Sequence, residues 1–107
     1  MRAITVNISN FKEQVLDARE TVLLDLWAPW CGPCHMMEEV LEQVAADYDG
    51  RVKIGKVNVD EELDLATAFA IEGVPTLMVF RRGRVVAGAV GFQVREKVDR
   101  LLRDAGI

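Results

Sequence analysis

The segment Thr21–Trp27, Thr-Val-Leu-Leu-Asp-Leu-Trp, constrains the fold more than any other. It is short and apolar at consecutive rather than alternate positions, so it reads as a strand buried on both faces. A strand covered twice needs helices on either side, and helical patterns stand around it. Asn10 and Glu13 are spaced like a capping box and open a short helix with Phe11, Val15 and Leu16 turned inward. Cys34, Met37, Leu41, Val44 and Tyr48 form one stripe at helical spacing, and the run stops near Asp49-Gly50, where glycine suits the left-handed position past a helix end. Further strands are expected at 3–6, 52–59, from Gly73-Val74-Pro75-Thr76 through Phe80, and at 84–90, with Arg82-Gly83 as the turn of a hairpin. Residues 62–71 read as a helix with Leu65 and Phe69 on one face, and Val94, Val98, Leu101, Leu102 and Ala105 mark a last one. The order β-α-β-α-β-α-β-β-α implies parallel crossovers with helices on both sheet faces and a closing hairpin that makes the sheet mixed. No repeat, linker or low-complexity stretch divides the chain, so residues 1–107 read as one domain.

Half of the residues are hydrophobic, enough for a core at this length, and a net charge of −4 argues against a nucleic-acid partner, which needs a basic surface. No apolar run reaches membrane-spanning length. The start, Met1-Arg2-Ala3-Ile4, lacks the apolar segment and cleavage site of a secretory leader, which points to the cytoplasm.

The two cysteines, Cys31 and Cys34, are three positions apart. A bridge this local closes too short a loop to stabilise a fold much, so the pair is expected to be there for its reactivity. Cys31 falls where a strand turns into a helix. The free N–H groups and positive end of that helix favour a thiolate, and an ionised, accessible sulfur is expected at this position. Gly32 and Pro33 suit the turn, and Cys34, one turn on, is near enough for a disulfide. Cys31 would attack a substrate disulfide and Cys34 would resolve the mixed disulfide. Zinc is not expected, since His35 is the one other ligand of that kind and adjoins Cys34. His35 reads either as a charge able to tune the pair near neutral pH or as a solvent-facing helix residue, and Glu38 and Glu39 place negative charge that slightly opposes a thiolate.

Asp25 interrupts an apolar strand. Burial would raise its pKa and suit it to carry a proton near pH 7; the other reading is a strand-edge carboxylate facing water. Lys56 shares a face with Val52 and Ile54 if its strand is regular, so it either forms a partly buried pair with Asp25 or snorkels to the surface. Trp30, in a loop beside the reactive sulfur, reads as a contact residue, and Trp27 as packing.

Trp27-Ala28-Pro29-Trp30-Cys31-Gly32-Pro33-Cys34 resembles the active-site segment of the thioredoxin family, and Asp25, Lys56, Gly73-Val74-Pro75-Thr76 and Gly91 also fall where that family has them. The resemblance spans essentially the whole chain. It implies the thioredoxin fold, an α/β architecture with a central mixed five-stranded sheet flanked by four helices. It implies a protein-disulfide reductase without cofactor or metal, recharged by a thioredoxin reductase and acting as a monomer on disulfide-containing proteins. Asp25 would manage the proton of Cys34, with Lys56 tempering its pKa. Pro75 would follow a cis bond facing the disulfide, and Val74 would pair its backbone with an extended substrate segment. Gly32, Pro33, Gly73, Gly91 and Phe92 would complete an apolar patch with Trp30. Glycine and proline between the cysteines favour a reductase over a disulfide oxidase or isomerase, and the non-enzymatic rival is a binding subunit with incidental cysteines. Two departures stand out. Glu39 occupies the place of a helix-bending proline, so a straighter helix is expected, and His35 stands where Lys or Arg is frequent.

Overall fold

The computed structural model describes residues 3–107. The strands β1 (Ile4–Thr5), β2 (Thr21–Trp27), β3 (Val52–Asn58), β4 (Thr76–Arg81) and β5 (Arg84–Val90) form one sheet in the order β1-β3-β2-β4-β5. β3 pairs in parallel with both β1 and β2, whereas β4 runs antiparallel to β2 and β5 antiparallel to β4. The mixed sheet is as expected, but not every crossover is parallel. The helix between β3 and β4, α2 (Leu63–Ala68), has six residues, about 9 Å of travel against about 23 Å for a seven-residue strand. It does not return the chain to the far end of the sheet, so β4 starts where β3 stops and runs the other way.

The remaining helical segments are a π-helical one at Lys12–Leu16, α1 (Gly32–Asp47) and α3 (Arg95–Asp104). The expected capping box at Asn10 does not form. Asn10 Oδ1 accepts from the Asn7 N–H at 2.8 Å, and Asn7 Oδ1 accepts in return from Asn10 at 3.0 Å, so the two side chains are spent on the turn before the helix. The helix starts without a side-chain cap and winds wide, Asp17 N–H donating to the Lys12 carbonyl. Val15 is buried but Leu16 stays exposed, against the sequence expectation. The long helix α1 runs unbroken through Glu39. In the β4–β5 hairpin Arg82 and Gly83 both take positive φ, 52° and 78°, the backbone of a tight turn whose twist matches the strands. Beyond it one extra residue of β5 interrupts the ladder: Val79 pairs Ala87 but Phe80 pairs Val85, leaving Val86 as a bulge.

Each face of the sheet carries its own core, because alternate residues of β2 point opposite ways. Leu23 packs with Met37, Leu41 and Val44 of α1 and Val98 and Leu102 of α3. Val22, Leu24 and Leu26 pack with Val6, Val15, Val57, Leu65 and Phe80. Full burial of each such side chain contributes about 1.5–3 kcal/mol. A polar clasp ties α3 to the end of α1: Arg95 donates to Asp99 at 2.9 Å and meets Asp47 at 2.8 Å, and the Tyr48 hydroxyl donates to Asp99 at 2.9 Å.

Register decides where function can sit. Trp27 pairs with Asn58 and Leu26 with Thr76, so the ends of β2 and β3 and the start of β4 lie at one pole. The segments that follow β2, follow β3 and precede β4 therefore meet beyond the carboxyl ends of the parallel strands, where open α/β sheets hold their ligands.

Candidate active site

At this pole β2 ends at Trp27, and the turn Ala28–Trp30 leads into α1. Cys31 is the N-cap residue, extended at φ −93° and ψ 110°, and its sulfur accepts the backbone N–H of Cys34 at 3.1 Å. The sulfur thus occupies the place of a capping oxygen and satisfies one of the helix's free donors. Pro33 lies in the first turn, where no N–H is required. Cys31 and Cys34 are joined as a disulfide, with Cα atoms 5.3 Å apart. The Val74 carbonyl oxygen lies 3.6 Å from the Cys31 sulfur.

The sulfur is more recessed than its loop position suggested. Cys31 is 4 % exposed, packed with Ala28 and Cys34 and against Trp27, Val59 and Val74. The expectation of an openly accessible sulfur is corrected to one almost wholly buried in the disulfide form. The reason is topological: the segment before β4 is laid across it, and its partner sulfur closes the inner side.

Asp25 is wholly buried on β2, on the face that packs against α1, and neither carboxylate oxygen has a hydrogen-bond partner. Burial raises its pKa to about 7, countered in part by the charge of Lys56 and reinforced by that of Glu38. The water-facing alternative is thereby removed. Lys56 stands beside Asp25 in the parallel register, on the same face. Yet the direct ion pair does not form. The Lys56 ammonium reaches Glu38 of α1 at 3.4 Å and lies 4.5 Å from the centre of the Trp27 ring. A flexible lysine stem can reach a hydrated carboxylate and an aromatic face at little desolvation cost, so it acts on Asp25 only through space.

The Val74–Pro75 peptide bond is cis. Pro75 is tied to the next loop, since its carbonyl accepts the Gly91 N–H at 2.7 Å. Gly91 has φ +90°, a backbone that favours glycine. A Cβ on Gly73 would touch Val90, so 73–75 and 90–91 form one unit. Trp30, Gly73 and Val74 line a mainly apolar groove of about 260 Å³ beside the disulfide. Gly32 and Pro33 are exposed on the first turn of α1 and, with Gly91 and Phe92, lie outside that groove. The groove brings in residues that sequence reasoning missed, Val59, Asp60, Leu63 and Ile71. Asp60 Oδ2 accepts from the Trp30 indole N–H at 3.0 Å and so holds a ring that is 71 % exposed. Its position just past a strand end was the one available signal.

No helix among the described residues is long and apolar enough to cross a membrane, and no group of three or more His, Cys, Asp or Glu among them is placed to hold a metal ion.

The thioredoxin family model matches residues 2–104, a stretch that includes every site residue named above. Relatives include thioredoxin 1 of Nostoc sp., 46 % identical over 89 residues and 83 % of each chain. Thioredoxin of Pseudomonas aeruginosa is 42 % identical over 104 residues, 97 % of this chain and 95 % of its own. Thioredoxin of Staphylococcus haemolyticus is 43 % identical over 102 residues, 95 % and 96 % of the two chains. With coverage so nearly complete and a bridged cysteine pair heading the long helix, the chain belongs to the thioredoxin family and is a protein-disulfide reductase.

Proposed function

We propose that Cys31 is the attacking sulfur and Cys34 the resolving one, in a single domain spanning residues 1–107. The observation that carries the assignment is the capping geometry: the Cys31 sulfur already accepts the Cys34 N–H at a helix N-terminus. A thiolate there would keep that bond and gain from the helix end. Cys34 is behind it and more deeply buried. In the reduced protein, the Cys31 thiolate attacks one sulfur of a substrate disulfide, forming a mixed disulfide and expelling a substrate thiolate. Cys34 loses its proton and attacks Cys31. The internal disulfide forms, the second substrate sulfur leaves as a thiolate, and two electrons have passed to the substrate.

Asp25 is the proposed proton acceptor for Cys34, because a carboxylate titrating at about 7 is divided between its two forms at neutral pH. Lys56 sets how readily that proton leaves. Val74 and cis-Pro75 present the backbone on which an extended substrate segment lies, with Trp30, Gly32, Pro33, Gly73, Gly91 and Phe92 around it. The targets are disulfide-containing proteins, the electron donor a thioredoxin reductase, the compartment the cytoplasm and the working form a monomer.

Insulin disulfide reduction driven by dithiothreitol tests the reading. Cys31→Ser should abolish the stimulation over dithiothreitol alone, and Cys34→Ser should trap covalent mixed disulfides. Full activity of Cys31→Ser would overturn it. Asp25→Ala should slow resolution of the mixed disulfide at neutral pH, and a rate unchanged from pH 6 to 9 would remove Asp25 from the mechanism.

A further inference from the structure

Gln93 stands one residue before the N-cap of α3, yet that helix begins without a side-chain cap. Its amide turns back instead, to the loop after β5. The nitrogen Nε2 donates to the Val90 carbonyl at 3.2 Å and to the Gly91 carbonyl at 3.2 Å. Carbonyl oxygens only accept, so the amide nitrogen, with its two N–H groups, is the atom that faces them. Successive carbonyls of an extended strand point opposite ways; here Gly91, at φ +90°, turns the two toward one amide. The Gly91 N–H is used on the cis-proline segment, donating to the Pro75 carbonyl at 2.7 Å. The Gln93 backbone N–H reaches the other way, to the Met37 sulfur at 3.4 Å, and Met37 is fully buried on α1, three residues beyond Cys34. One residue therefore joins the loop after β5, the segment before β4 through Gly91, and the helix that carries the disulfide.

We propose that Gln93 is a positioning residue for substrate binding: it fixes the Val90–Gly91 backbone, so that cis-Pro75 is braced and Val90 and Phe92 form the outer lip of the docking face. This deepens, and rests on, the reading that Val74 and Pro75 carry an extended substrate segment. Val90 is 64 % exposed and Phe92 36 %, so both present apolar surface at the lip. Glycine loses more conformational freedom on ordering than any other residue. An unbraced loop around Gly91 would have to be ordered each time a substrate chain binds, which weakens affinity. Gln93 orders it beforehand. The benefit goes to a polypeptide long enough to lie along Val74 and the lip, whereas a small disulfide that meets only the Cys31 sulfur gains nothing. Gln93 is thus a determinant of specificity for protein disulfides over small ones. It touches neither sulfur and no electron passes through it, so its contribution falls on KM and not on kcat.

The test compares two substrates: insulin, under steady-state reduction, and hydroxyethyl disulfide, a small disulfide, reacting with the pre-reduced protein. Gln93→Leu keeps the bulk without the donors. Gln93→Glu keeps the shape but sets acceptor oxygens against the two carbonyls. Gln93→Leu should raise KM for insulin about three- to tenfold, the effect of losing one or two ordinary hydrogen bonds, and Gln93→Glu should raise it further. In both, kcat for insulin, the rate with hydroxyethyl disulfide and the equilibrium with the glutathione couple should stay at wild-type values. Met37→Leu, which removes the sulfur acceptor, should raise KM by up to about twofold, since a thioether accepts weakly. A wild-type KM in both Gln93 variants would overturn the proposal. So would equal slowing on the two substrates, the mark of a general disturbance of the site. An unmoved KM in Met37→Leu would overturn the tie to α1. Gly91→Ala separates the proposal from the reading beneath it: at φ +90° a side chain strains the backbone, so KM for insulin should rise if this segment carries substrate. A rise there without one in the Gln93 variants strikes only the role of Gln93, and no rise in any of them strikes the substrate reading itself.

Discussion

On one side of the sheet Phe11, Phe69 and Phe80 meet with ring centroids 5.5–6.0 Å apart, behind Val22, Leu24 and Leu26. On the other side the same strand offers Leu23 and then Asp25, with Lys56 beside it. The first side is apolar and aromatic. The second holds a buried carboxylate without a hydrogen bond, which costs stability unless it keeps its proton. One strand thus serves both purposes, and the difference shows where the molecule accepts instability: on the face that leads to the sulfurs, with the aromatic face supplying the margin.

The comparison can be broken from either side. Phe80→Ala should be the most damaging, about 3–5 kcal/mol lost in urea unfolding, and equally so at pH 5 and 8, because no ionisable group is involved. Asp25→Asn should act in the opposite sense. In the folded chain its carboxyl titrates at about 7 instead of 3.8, so between those values the folded form holds a proton that the unfolded form has lost. Stability therefore falls as pH rises from about 4 to about 7 and levels off above, by up to about 4 kcal/mol. The amide escapes that penalty but leaves its own polar atoms unpartnered, so a net gain of about 2–3 kcal/mol is expected at pH 8, turning into a loss of about 1–2 kcal/mol below pH 4. A gain independent of pH would show that ionisation is not the cause. Gly55→Ala probes the tightness of the aromatic side, since its Cβ would meet Val6 at 3.0 Å and Leu24 at 3.1 Å. A loss of about 1–2 kcal/mol from overpacking is expected, and a neutral result would mean that face has slack. Trp30→Ala should have the smallest effect on stability, within about 0.5 kcal/mol. It should still lower kcat/KM for insulin by about tenfold, as truncation of an exposed aromatic contact does.

Much of this was readable before any coordinates. Asp25 announced itself as a charge inside a run that has to be buried twice, and Cys31 as a cysteine at a strand-to-helix junction. A continuous apolar run placed β2, the Arg82-Gly83 turn placed β5, and helical spacing placed the buried stripe of α1, because burial on a regular helix face repeats. Three things escaped. The partner of Lys56 depends on where α1 sets Glu38 in space, which the alternation of β3 does not encode. The recess around Cys31 is made by residues 73–75, more than forty positions away, and the reversal of β4 follows from the shortness of α2. Asn10 misled because one side chain suits both a helix cap and an Asx turn, and the neighbouring Asn7 decides between them.

The bulge at Val86 also bears on how the sheet ends. A seven-residue outer strand with Val85, Val86 and Val90 exposed offers a template on which another chain could add a sixth strand. An extra residue breaks the regular spacing of donors and acceptors and increases the local twist, so an incoming straight strand finds no continuous ladder to join. The open edge of the sheet is thereby kept from serving as a seam along which a neighbouring chain could be stitched on.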